Sequence, residues 1–211
     1  MRTADATLLE PEGLVAVGDA GLSALASPYD GAPTADAEQL RAHERITARI
    51  HDAAPSLPSR FGQFFRDEQS LTAALRERSA GLLDELTIVG DRAEMTVTLE
   101  WRGARPRVTT TQYATGREFL EAKAAREREH KDAEAVVARL VDHLAVDQAA
   151  VRQTICPREG VAAIVALLVA RDGAQALREK IDSFEQRSSE VTARVYGPLP
   201  PYSFASWIRP T

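Results

Sequence analysis

The chain has 211 residues, 44% hydrophobic and 27% charged, with a formal net charge of −5. That is enough apolar material for one large or two small globular domains, and the acidic balance without a basic stripe argues against a nucleic-acid scaffold. The lone cysteine, Cys156, excludes an internal disulfide framework and a four-ligand zinc cage, and no run approaches the ~18 apolar residues of a membrane span.

Met1 to Ala16 has neither the cationic start nor the apolar core of a signal peptide, so the expected compartment is the cytoplasm. Gly13 to Val17 and Leu22 to Ala26 are short apolar runs around Gly18-Asp19-Ala20-Gly21, which predicts a small hairpin. After the turn-rich Ser27 to Ala35, Asp36 can cap a helix to about Ala54, with Leu40, Ile46, Ile50 and Ala53 on one face and His43 on or beside it. Leu57-Pro58-Ser59-Arg60-Phe61-Gly62-Gln63-Phe64-Phe65 follows, a strand-like apolar set broken by an arginine and a glycine. A second helix, capped by Asp67 or Ser70, carries the stripe Leu71, Leu75, Leu82 and Leu86. Thr87 to Arg92 reads as the boundary between an N-terminal domain over 1–90 and a C-terminal domain over 91–211.

Beyond it, Met95, Val97, Leu99 and Trp101 alternate with polar residues as in a half-buried strand. The basic connection Gly103 to Thr111 has room for a short strand at Val108 to Gln112. A helix of about 30 residues runs from Thr115 to Leu144, with Ala133, Val137, Leu140 and Leu144 as its apolar stripe. Its charged middle, Arg126 to Asp132, reads as a solvated face. A strand at Ala149 to Ile155, a turn at Cys156 to Gly160 and a strand at Val161 to Ala170 come next. Asp172 and Gln175 have capping-box spacing for a helix with the stripe Ala174, Leu177, Ile181 and Phe184. Val191 to Tyr196 alternates as a last strand, ended by Gly197-Pro198. The order strand, helix, strand, strand, helix, strand is the split βαβ, ferredoxin-like arrangement, so the fold class is α+β with two domains. In it Ile164 and Leu168 point to the sheet face that the helices leave open, which either the first half of the chain or another molecule must cover. The proline-braced tail carries Tyr202, Phe204 and Trp207, a composition that docks on its own domain or on a partner.

Chemistry is scarce. His43-Glu44-Arg45-Ile46-Thr47 begins like a zincin helix but has threonine where the second histidine must lie, so no metal site is expected. His51 shares the face of His43 only loosely. Cys156 has no histidine near it in sequence to form a thiolate. No phosphate-cradling loop, serine elbow or paired acidic motif stands out, and neither a catalytic residue nor a cofactor is expected.

Leu57-Pro58-Ser59-Arg60-Phe61-Gly62 is similar to the Leu-Pro-x-Arg-Phe-Gly segment of the gas vesicle protein GvpL/GvpF family, and Gly197-Pro198-Leu199-Pro200-Pro201-Tyr202-Ser203-Phe204 to its C-terminal Gly-Pro-x-Pro-Pro-Tyr-Ser-Phe. His43-Glu44 and Gly116-Arg117-Glu118-Phe119-Leu120 stand in the same order between and around them. The chain departs from the pattern at Leu199, where tryptophan is common, and in showing no aromatic-rich strand before Gly13. The resemblance implies two α+β domains, the second a modified ferredoxin-like fold. It also implies a non-enzymatic role in the gas vesicle as a minor component or assembly factor that binds the hydrophobic major shell protein, with other accessory proteins as further partners. Arg60, Phe61, Gly62, Ile164, Leu168, Tyr202 and Phe204 are the candidates for partner contacts or for the domain junction, with His43 secondary. The alternatives are a small-ligand-binding module or enzyme with His43 and Arg60 in an interdomain cleft, and an oligomeric scaffold associating through Ile164 and Leu168.

Overall fold

The computed structural model describes residues 13–19, 21–28, 36–103 and 115–206. The chain divides into two compact units, Met1–Arg92 together with Leu199–Thr211, and Ala93–Pro198. The tail from Leu199 onward thus groups with the first unit, whereas the sequence placed all of 91–211 in the second. Its buried aromatic side chain and its hydrogen bonds to helices of the first unit, described below, account for the difference.

In the first unit, β1 (Val15–Asp19) and β2 (Leu22–Ala26) form the expected antiparallel hairpin, with Val17 opposite Ala24. Helix α1 (Ala37–Ala53) starts at Asp36, whose carboxylate accepts from the Glu38 and Gln39 amides at 2.9 and 2.8 Å. Helix α2 (Glu68–Val89) starts with a full capping box: Ser70 N–H donates to Asp67, and Ser70 Oγ accepts from the Asp67 amide. Leu71, Leu75 and Leu82 bury themselves with Val17, and Leu22, Ala24, Ala26, Leu57 and Phe65 pack around them. The expected apolar stripe of α1 is not the buried one. Leu40 is 44% exposed and Ala53 is exposed, while Thr47 and His51 are buried. Polar residues can take that position because the neighbouring loop and tail supply hydrogen bonds to them. The Leu57 to Phe65 stretch is irregular rather than a strand, with a turn at Phe61-Gly62.

The second unit contains β3 (Arg92–Trp101, beginning at the boundary), α3 (Gly116–Leu144), β4 (Val151–Arg158), β5 (Val161–Ala170), α4 (Ala174–Arg187) and β6 (Val191–Leu199). Its sheet order is β4-β5-β3-β6, the arrangement that the split βαβ reading requires, with β3 and β5 central. One sheet face carries Met95, Val97, Leu99, Ala163, Val165 and Leu167 against Val136, Val137 and Leu140 of α3 and Leu177, Ile181 and Phe184 of α4. Upstream of this core, the charged middle of α3 is largely exposed, with Lys123 and Glu127 4.0 Å apart and His130 and Glu134 3.4 Å apart.

Several expectations change here. Strand β3 is not half-buried, since Glu94 and Thr98 are inside as well; on β5 Leu168 and Ala166 are buried and Ile164 is half-buried. The β4-β5 turn is only Glu159-Gly160, because β4 continues through a bulge between Ile155 and Arg158 with Cys156 at φ +46. The Asp172–Gln175 capping box does not form. A 3-10 turn at Arg171–Gly173 takes up Asp172, and Gly173, with no side chain to offer, precedes α4. Strand β6 passes through Gly197-Pro198 to Leu199, which its place at the sheet edge permits. The short strand expected at Val108 to Gln112 lies outside the described residues.

Candidate functional site

Helix α1 displays His43, Thr47 and His51 at intervals of four, on one flank. His43 Nε2 lies 3.0 Å from the Ser59 carbonyl oxygen. A carbonyl only accepts, so that nitrogen carries the proton. The ring of Phe61 meets His43 edge to face, centroids 5.7 Å apart and planes at 69°. His51 Nδ1 lies 3.5 Å from Ser56 Oγ. The loop is therefore fastened to α1 at its start and its middle. Between these points Pro58 is buried, and the Gln63 amide donates to the Arg60 carbonyl at 3.3 Å, closing a turn whose Gly62 sits at φ +86.

One turn along the same flank, Thr47 hydrogen-bonds the Tyr202 hydroxyl. Burial pushes the Tyr202 phenol above its usual 10.0; the bond to Thr47 opposes this and the Glu44 carboxylate adds to it. The tail is not fully extended. The Tyr202 amide donates to the Pro200 carbonyl at 2.8 Å and the Phe204 amide to the Pro201 carbonyl at 3.1 Å, forming a 3-10 turn over Tyr202–Phe204. Phe204 and Ala205 are buried, and the Ser206 amide donates to Glu85 Oε2 of α2 at 2.9 Å.

The structure thus brings His43, Phe61 and Tyr202 to one helix flank. Phe204 anchors the tail, and Arg60 and Gly62 stand exposed on the turn. Ile164 and Leu168 belong to the sheet of the second unit. His43 is held by Ser59 and Phe61, which makes it an anchor for the loop. Cys156 lies in the strand bulge, half-buried, its Sγ 4.0 Å from the Glu129 carbonyl. Among the described residues no group of three or more His, Cys, Asp or Glu could hold a metal ion, and no helix is long and apolar enough to cross a membrane. Sequence reasoning missed Thr47 and Glu85 as the tail's anchors. Thr47 was visible as the residue in the second-histidine position of the false zincin pattern, but not as a partner for a tyrosine far along the chain.

The model of the family described as gas vesicle synthesis protein GvpL/GvpF matches residues 3–206. A curated relative, gas vesicle protein F of Streptomyces sp. (strain CB03234), is 28% identical over 187 residues, covering 78% of this chain and 76% of its own length. The crystal structure of GvpF from Anabaena sp. PCC7120 is similar with a TM-score of 0.69 at 18% identity, over 92% of this chain and 85% of that one. That of GvpF from Microcystis aeruginosa gives 0.68 at 16%, over 92% and 88%. At these identities the two structures establish likeness of fold.

Proposed function

This chain belongs to the gas vesicle synthesis protein GvpL/GvpF family, which gives it a gas vesicle-related role, and from that premise we propose that it is a non-enzymatic accessory protein acting at the gas vesicle. It binds the small hydrophobic major shell protein and limits its aggregation while the vesicle nucleates. Other accessory proteins are further partners.

The observation that carries this reading is how the two motif stretches are used. His43, Ser59, Phe61, Thr47, Tyr202 and Phe204 hold a loop and a tail to two helices, which is a scaffolding use of these side chains. Large apolar side chains meanwhile stay outside: Phe64 is 51% exposed, Phe119 47% and Leu120 64%. Such side chains suit contact with an apolar subunit that would otherwise self-associate.

The test is co-expression with the major shell protein. The expected result is shell protein retained in the supernatant and co-eluting with this chain. A shell protein that pellets as it does alone, with nothing co-eluting, overturns the proposal.

A further inference from the structure

The sheet of the second unit ends in two edge strands, β4 and β6, and an edge offers backbone groups to which a further strand can add. The two edges are blunted by different means. Strand β4 carries its own block: Pro157, which has no amide to donate, stands in the bulge where Cys156 takes φ +46. Strand β6 has no such block over 191–196. Val191-Thr192-Ala193-Arg194-Val195-Tyr196 is mostly β-branched or aromatic, with one charge and neither proline nor glycine, which is the composition of a segment that pairs readily.

The outward carbonyls of β6 are nevertheless occupied. The Arg102 amide, one residue past β3, donates to the Glu190 carbonyl at 2.8 Å, so that carbonyl faces β3. Backbone groups alternate in direction along a strand, and those of Val191, Ala193, Val195 and Gly197 therefore face away from β3. Arg102 Nε donates to the Val191 carbonyl at 2.8 Å. Arg178, half-buried on α4, donates from Nη1 to the Val195 carbonyl at 3.4 Å and from Nη2 to that of Gly197. One guanidinium thus spans two successive outward carbonyls, the groups that the amides of an added strand would have to reach.

We propose that Arg178 is an autoinhibitory latch on the β6 edge, which keeps it from pairing with the β6 edge of a second copy. The fixed fork of the guanidinium suits two acceptors on one edge, and its charge makes these bonds stronger than those an incoming amide would form. A second copy is the occupant because this edge is complementary to itself. Two-fold antiparallel pairing centred on Ala193 sets Val191 against Val195 and Thr192 against Arg194, so β-branched residues meet and like charges do not. The block on β4 lies in its own backbone, whereas that on β6 comes from another element and a single substitution lifts it.

The experiment follows the mass of the full chain by sedimentation as its concentration is raised. It compares wild type, Arg178→Ala, Arg178→Lys and Arg178→Ala combined with Ala193→Pro. Ala193 faces outward, so proline there removes an amide from the free edge only. The mass of Arg178→Ala is expected to rise with concentration toward about twice that of wild type. Arg178→Lys, with one amine for two carbonyls, should rise less, and the double variant should follow wild type. A mass for Arg178→Ala that tracks wild type at every concentration overturns the latch. Association that survives Ala193→Pro overturns it too, since the contact then lies elsewhere. Should Arg178→Ala lose its fold by circular dichroism, Arg178→Lys decides, and a mass equal to wild type overturns the proposal.

Discussion

At Gly197 φ is +116, and a Cβ there would stand 2.6 Å from the Glu94 carbonyl oxygen and 2.9 Å from Met95 Sδ. Arg178 donates to the carbonyls of Val195, at 3.4 Å, and of Gly197, holding this end of β6 against movement. Neither the backbone conformation nor the space suits a larger residue. Gly197→Ala is expected to cost roughly 2 kcal/mol or more in denaturant unfolding; a cost under about 0.5 kcal/mol would contradict the tight approach. The sequence marked Gly197 as a strand terminator, because glycine followed by proline usually is one; that the glycine lets β6 lie closely against its sheet neighbour β3 is a fact of three dimensions. Tyr202 behaves differently with pH. Its phenol titrates above 10.0 in the folded protein, so the neutral form is favoured there, and the stability it contributes is whole below that value and declines as pH rises through the folded pKa. Tyr202→Phe should cost about 1 kcal/mol at neutral pH by leaving Thr47 without the phenol, and it should lose less stability than wild type above pH 10.0. Parallel pH profiles for the two proteins would refute the buried phenol.

The α2 start is the element most fully legible in the sequence, because a cap depends on residues within one turn. The Ser70 amide, then the side chains of Arg66 and Ser70, hold the Asp67 carboxyl below its usual 3.8. The cap therefore acts above that pH and is lost as pH falls through the folded pKa. Asp67→Ala should lower the melting temperature at neutral pH and match wild type once pH is well below 3.8; a deficit that persists in acid would mean that the carboxylate charge is not what caps the helix. The same local logic failed at α4, where Asp172 and Gln175 have the right spacing but a 3-10 turn intervenes. Strand β3 was readable from its alternation. The buried flank of α1 was not, since Thr47 and His51 are inside only because a loop and a tail meet them.

For the whole molecule, the order of strands and helices sufficed for the ferredoxin-like sheet, whose β4-β5-β3-β6 arrangement follows from connection rules. The destination of the tail did not follow from it. Pattern shows that Tyr202 and Phe204 must be covered, whereas the choice of surface depends on Thr47 and Glu85. The covering of Leu168 was equally hidden, because an unbroken apolar run says that both strand faces are buried but not by what. Removing 199–211 should speed amide hydrogen exchange in α1 and α2 while the β3–β6 sheet keeps its protection; unchanged exchange in the helices would contradict the assignment of the tail to the first unit. The accessory role is tested most directly by vesicle formation. In a host that builds gas vesicles with this chain as its sole GvpL/GvpF-family member, deleting it should leave few or no vesicles by electron microscopy and shell protein in the insoluble fraction, both restored by the wild-type chain. A normal number of vesicles in its absence would contradict the account.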